Sequence, residues 1–296
     1  MTITATEEQS PAPGSGLRWP AFSLAKPQAD ERPLIFASPH SGREYPDYFR
    51  NSLRVPLIDL KQTEDAYVDE LFANAPTYGA RLLKATYARS FVDLNRDPRE
   101  IDASMFHGDP PGPVAVPTVR VEAGLGCFPR IGARGELIYA KKLDPADGRS
   151  RLDLVHTPYH AALSDEIAAL RQKFGCAILI DCHSMPSSQP GRRDLPDFVL
   201  GDRFGSSCTG QLTSLVERTL RKAGYSVVRN APYAGGFTTR KYGRPKQHAH
   251  ALQIEINRRL YLDEARVTKI DAMSELSHQL DGLMGNIAEL SERLRP

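Results

Sequence analysis

Residues 176–180, CAILI, form an unbroken apolar run that stops abruptly at Asp181, Cys182, His183 and Ser184. A run this short and this apolar fits a strand buried on both faces, which belongs in a sheet covered by helices on either side. Residues 33–37, PLIFA, repeat the pattern and end in Ser38, Pro39, His40, Ser41 and Gly42. Residues 81–85, 90–94, 225–228 and 251–256 supply further strand candidates. Between them, residues 64–75 place Val68, Leu71, Phe72 and Ala75 at helical spacing, with acids in the first turn where the helix dipole favours them. Residues 152–174 carry Leu163, Ile167 and Leu170 on one helical face, and helices are also predicted over 206–223 and 268–294. Strands alternating with helices predict a three-layer α/β fold, its central sheet mostly parallel or mixed and its helices on both faces.

The first 30 residues are rich in Pro, Ser and Gly and read as a flexible tail, leaving 31–296 as a single α/β domain. Residues 97–135 are dense in Pro and Gly and predict a long loop excursion, with a second Gly-rich loop over 232–246. A formal net charge of +2, with only short basic clusters (Arg192-Arg193, Arg258-Arg259), argues against a nucleic-acid partner. No apolar run approaches the ~18 residues of a membrane span, and the N-terminus lacks the basic start and apolar stretch of a secretory signal. Cys127, Cys176, Cys182 and Cys208 show no CxxC spacing and read as free thiols, which together predict a cytoplasmic protein. Neither GxGxxG nor GxxxxGK[ST] nor GxSxG occurs.

Ligands of open α/β sheets bind outside the carboxyl ends of the strands. Here the predicted strand ends carry His40, His183 and Glu255. A lone histidine in such a place is usually hydrogen-bonded in a loop, but two of them with carboxylates nearby suit zinc, which accepts imidazole and carboxylate and keeps a position open for water. The third ligand is then Glu44 or Asp65. Asp181, two residues before His183 and on the same strand face, can orient an imidazole or merely cap the strand. Glu255 lies in the alternating stretch 252–257, LQIEIN; beside a metal it becomes a base for water and then an acid for a leaving amine. Arg89 and the pair Asn95-Arg96 flank the 90–94 segment, where guanidinium groups can grip an anion or simply pair with Asp93, Asp97 or Asp102. Arg240 and Tyr242 sit in the Gly-rich loop, and His248 and His250 precede the Glu255 strand, so all four are candidates for the same cavity.

Several strings in order carry a family resemblance: SPHSGREYP (38–46), TEDAYVDELF (63–72), ARSFVDLNRDPREID (88–102), LIDCHSMP (179–186) and GGFTTRKYGRPKQHAHALQIEINRRLYLD (235–263). The chain resembles the N-formylglutamate amidohydrolase family, which is similar in fold and site layout to the zinc carboxypeptidases and the succinylglutamate desuccinylases. The resemblance implies a zinc-carboxypeptidase-like fold and a metal set of His40, Asp65 and His183. Asp65 replaces the carboxypeptidase His-x-x-Glu acid, because Arg43 stands three residues after His40. It further implies Glu255 as base, Arg89 steadying the oxyanion, and Asn95, Arg96, Arg240, Tyr242 and His250 on the substrate. The implied reaction is zinc-dependent hydrolysis of N-formyl-L-glutamate, a small anionic N-acyl amino acid, to formate and glutamate in histidine degradation. Two other functions compete: a peptidase or peptidoglycan-type amidase using the same metal, and a non-catalytic dicarboxylate-binding protein on the same fold.

Overall fold

The computed structural model describes residues 17–189, 191 and 194–296; residues 1–16 of the expected tail and the Arg192-Arg193 cluster lie outside them. Seven strands form the central sheet: β1 (Phe22–Ala25), β2 (Leu34–Ser38), β3 (Arg81–Ala85), β4 (Ala177–Met185), β5 (Phe198–Gly201), β6 (Val227–Arg229) and β7 (Ala249–Asn257). Their order is β1-β3-β2-β4-β7-β5-β6. The central pairs β3·β2, β2·β4 and β4·β7 are parallel, while β1·β3 and β7·β5 are antiparallel, so the sheet is mixed. From β2 the chain passes outward to β3 and returns to β4 on the other side of β2. Such a reversal of strand order opens a crevice at the carboxyl ends of the strands.

The pleat decides which helices each strand meets. Ile35, Ala37, Leu179 and Ala251 point to one face, where they pack with Tyr159, Leu163, Ile167 and Leu170 of helix α2 (Thr157–Phe174). Leu34, Phe36, Ile178, Ile180, Leu252, Ile254 and Ile256 point to the other, against α3 (Gly210–Lys222) and α5 (Met273–Arg293). Burying a side chain of this size contributes roughly 1.5–3 kcal/mol, so two dry faces explain why Leu34–Ala37 of β2 and Ala177–Ile180 of β4 are continuously apolar rather than alternating. The remaining helices that matter are α1 (Val68–Leu71) and α4 (Phe237–Tyr242). Among the described residues no helix is long and apolar enough to cross a membrane. All four cysteines are buried free thiols.

Local departures from the sequence expectation have physical causes. Within the expected tail, Phe22–Ala25 forms an edge strand on β3, with Phe22 and Leu24 buried. The expected strand over 90–94 is instead a series of turns, held by hydrogen bonds to segments distant in sequence, such as Asp93 N–H to the Cys127 carbonyl at 2.8 Å. Phe91, Val92 and Leu94 are apolar because they enter the core, not because they join a sheet. Helix α1 is shorter than residues 64–75, since Tyr67 takes a left-handed φ of 63° just before it. The Gly-rich loop over 232–246 contains α4, and α2 is preceded by a π turn (Leu152–His156).

Two predictions follow from this packing. A Cβ on Gly42, in the loop that carries His40, would lie 2.2 Å from the backbone oxygen of Tyr87, whereas one on Gly210 meets open space. Gly42→Ala should therefore cost roughly 1–3 kcal/mol in urea denaturation, and Gly210→Ala should not destabilise. His156 is buried, and burial, helped by Lys241, pushes its pKa down to about 4 despite a hydrogen bond to the Arg96 carbonyl. The unfolded imidazole titrates near ~6.5, so between the two values the unfolded chain binds more protons. This stabilisation is complete above the upper value and is lost as pH falls toward the lower one. The urea midpoint should drop across that window, and less steeply in His156→Asn.

Candidate active site

At the carboxyl end of β4, Asp181 and His183 share the face of Leu179, and the parallel register sets them directly opposite Gln253 and Glu255 of β7. His40 follows β2 by two residues, and Asp65 precedes α1. The Asp65 amide donates to the His40 carbonyl at 3.0 Å, which ties the two loops together. His40, Asp65 and His183 are each at most 2% exposed. Their candidate ligand atoms all lie within 4.8 Å of one another. Asp65 Oδ2 stands 2.9 Å from His183 Nδ1 and 3.4 Å from His40 Nδ1. Glu44, the other candidate acid, is exposed and bridges to Tyr87.

The far nitrogen of each ring faces a carboxylate. His40 Nε2 donates to Asp93 Oδ1 at 2.7 Å, and His183 Nε2 lies 3.0 Å from Asp181 Oδ1 and 3.1 Å from Asn95 Nδ2. That pattern presents both Nδ1 atoms to one point, as metal-bound histidines require. His40 Nδ1 is buried without a hydrogen-bond partner, and both oxygens of Asp181 lack a partner in hydrogen-bond geometry. An orphaned imidazole nitrogen beside a second imidazole and a carboxylate is a donor set that fits a divalent metal ion.

Electrostatics support the same arrangement. Burial opposes the charge on Asp65, but hydrogen bonding and proximity to His183 and His40 hold its carboxyl well below the usual range. Arg258, half of a short basic pair in the sequence, donates from Nη2 to Asp65 Oδ1 at 3.1 Å, from Nε to Ser184 Oγ at 3.1 Å and from Nη1 to the Gln62 carbonyl at 2.9 Å. Glu255 is 6% exposed, and burial pushes its pKa up to about 7, moderated by His183 and raised further by Asp65. Gln253 Nε2 donates to Glu255 Oε1 at 2.7 Å and fixes the carboxyl orientation. Arg89 Nη2 donates to Asp93 Oδ2 at 2.8 Å, and its other arm lies 3.8 Å from Asp65.

Asn95 is held on three sides: its amide N–H donates to Asp93 Oδ1, its side-chain oxygen accepts from Thr238 N–H at 2.8 Å, and its Nδ2 reaches His183. Arg96 is buried and donates to the Leu125 and Asn95 carbonyls. Arg240 is half exposed on α4, 3.6 Å from Asp97. The structure does not bring Tyr242 or His250 to this cluster. The Tyr242 hydroxyl turns inward to His160 Nδ1 at 2.9 Å, because its ring completes the core beneath α4. His250 pairs across from Ile178 at the opposite end of β7 and accepts from Thr209 N–H at 3.3 Å. Five residues of strand separate it from Glu255, on the order of 16 Å. His248 precedes β7 and lies at that same far end. Asp93, Gln253 and Arg258 were missed as site residues because each looks like an ordinary internal partner; only the two-residue offset of Asp93 from Asn95 and of Gln253 from Glu255 hinted at a shared face.

The family model of N-formylglutamate amidohydrolase matches residues 32–262. The chain belongs to this family. It is similar to N-formylglutamate deformylases of Pseudomonas putida (34% identical, covering 78% of this chain and 82% of the relative) and Pseudomonas aeruginosa strain PAO1 (35%, covering 78% and 83%). In three dimensions it is similar to the crystal structure of N-formylglutamate amidohydrolase from Ralstonia eutropha JMP134, with a TM-score of 0.87 and 37% identity over 92% of this chain and 99% of that one. The gene product Atu2144 from Agrobacterium tumefaciens shares the fold at a TM-score of 0.64 and 18% identity, over 92% of this chain and 97% of that one. Membership makes the chain a hydrolase of linear amide bonds.

Since Asp93 orients His40 and anchors Arg89, Asp93→Asn should weaken metal retention by about 10–100-fold while leaving the fold intact. Equilibrium dialysis against a metal buffer, with circular dichroism as control, measures it.

Proposed function

We propose that this protein is a zinc-dependent deformylase that hydrolyses N-formyl-L-glutamate to formate and glutamate; two of its relatives are named N-formylglutamate deformylase. The observation that carries the reading is the convergence of His40 Nδ1, His183 Nδ1 and Asp65 Oδ2 on one buried point, with Glu255 across the β4·β7 register from His183. Two imidazoles and a carboxylate suit zinc and leave a coordination position open. Zinc bound there supplies Lewis-acid polarisation of the formyl carbonyl and lowers the pKa of water.

The chain's own groups account for the rest. The carboxylate of Glu255, its pKa raised by burial to about 7 and its orientation fixed by Gln253, takes a proton from water as the water oxygen adds to the formyl carbon, then delivers that proton to the leaving amine nitrogen. Arg89, braced on Asp93, donates to the oxygen that gains negative charge. Asn95, the buried Arg96 and the half-exposed Arg240 hold the substrate carboxylates. A small dicarboxylate is the partner such a set suits, and a place in histidine degradation, in the cytoplasm, follows from that substrate.

Metal analysis of the purified protein and a screen of N-formyl, N-acetyl and N-succinyl amino acids test the reading. Formate release from N-formylglutamate should dominate, stop on chelation and return with zinc. Glu255→Gln should keep its metal and lose roughly 100- to 10,000-fold in kcat. Full activity in that variant, or no formate from the wild type, would overturn the assignment.

A further inference from the structure

Asn95 and Arg96 lie in a segment with no strand partners, yet the proposed reaction needs them fixed to within a fraction of an ångström. Their support comes from helix α2 and the turn before it. His156 Nε2 lies 3.0 Å from the Arg96 carbonyl, and His160 Nε2 lies 2.8 Å from the Leu94 carbonyl, so two imidazoles four residues apart grip the backbone on either side of Asn95. Both rings are 3% exposed, and their centroids are 4.6 Å apart. His156 is the last residue of the π turn, which joins α2 directly. π turns are frequent at functional sites, where the extra residue re-aims the side chains beside it.

The grip closes on itself. Phe237 packs against both imidazoles, its ring centroid 6.3 Å from His156 and 5.2 Å from His160. The next residue, Thr238, donates its N–H to the Asn95 side-chain oxygen, and Gly236 N–H donates to Gln253 Oε1 at 2.8 Å. A Cβ on Gly236 would meet the Asn95 side chain at 2.4 Å, so this loop presses directly on Asn95. The Tyr242 hydroxyl donates to the His160 carbonyl at 3.0 Å and lies 2.9 Å from His160 Nδ1, while the Leu94 carbonyl facing Nε2 can only accept, so Nε2 is the nitrogen that carries hydrogen toward Leu94.

We infer that His156 and His160 are positioning residues of the proposed hydrolysis: by donating Nε2–H to the carbonyls flanking Asn95, they set where Asn95 and Arg96 meet the substrate. The inference rests on the proposed reaction for its kinetic consequence, but the clamp itself has an independent readout. Burial keeps both imidazoles neutral, as a single donated hydrogen requires.

The experiment compares His156→Phe and His160→Phe with His156→Gln and His160→Gln, each in the metal-loaded full chain. Phe keeps the ring and removes the donor; Gln restores a donor at the reach of Nε2. The Phe variants should lose on the order of 10- to 100-fold in kcat/KM for N-formylglutamate at unchanged metal content, and the Gln variants should recover most of it. Amide exchange at Thr238 should accelerate in the Phe variants and return toward wild type in the Gln variants. In the wild type, ¹⁵N spectra at neutral pH should show both imidazoles as Nε2–H tautomers. Phe variants with full activity and unchanged Thr238 protection, Gln variants no better than Phe, or wild-type rings carrying hydrogen on Nδ1 would each overturn the clamp. A wild type without activity on N-formylglutamate would instead overturn the reaction, and the exchange and tautomer measurements would still decide the clamp.

Discussion

The site depends on one buried carboxylate, Asp65. It faces both imidazoles, accepts from Arg258 and lies within reach of Arg89, all in the interior. Charges that far from water are costly unless each has a partner of opposite sign. The surrounding residues satisfy that condition in sequence: Asp93 and Asp181 face the outer nitrogens of the histidines, Arg89 braces Asp93, and Arg258 spans from Asp65 to the loop at Gln62. His40 Nδ1, buried without a hydrogen-bond partner beside Asp65 and His183, belongs to the donor set that fits a metal ion.

The sheet makes this concentration of charge tolerable. Parallel pairing of β2, β4 and β7 sends three chain segments to the same edge, so His40, His183 and Glu255 arrive together without being near in sequence. The apolar faces below them are covered by α2 on one side and by α3 and α5 on the other, which fixes the strands rigidly beneath the polar cluster. Elements without sheet pairing, notably residues 90–97 and the loop before β7, are instead held by polar contacts: the His156 and His160 imidazoles on the Arg96 and Leu94 carbonyls, and the backbone N–H groups of Thr238 and Gly236 on the Asn95 and Gln253 side chains. The family's hydrolytic chemistry is therefore built half on strands and half on loops tied down by polar contacts.

Much of this was legible in the order of residues, and the limits of that legibility are specific. Continuous apolar runs revealed β2 and β4, as strands buried on both faces require, and alternation revealed β7. The same reasoning misplaced 90–94, where Phe91, Val92 and Leu94 are apolar for the core alone. It left Tyr242, His248 and His250 as candidates for the cavity, whereas Tyr242 turns to His160 and His250 lies at the far end of β7, because sequence proximity to a motif does not say which end of a strand, or which side of a helix, a residue occupies. The edge strand at Phe22 was hidden in a segment whose Pro, Ser and Gly content resembles a tail.

The sequence by itself determined the chemistry available and the class of fold: histidines and carboxylates following buried strands, within an alternating strand–helix order. Only the tertiary structure decided the partnerships. Asp65 rather than Glu44 joins the histidines because the loop after β2 and the start of α1 are tied by the bond from Asp65 N–H to the His40 carbonyl. Asp93, Gln253 and Arg258 gain their roles from distances across the fold, since hydrogen bonds and charge pairs act through space over a few ångströms and leave no periodic trace along the chain.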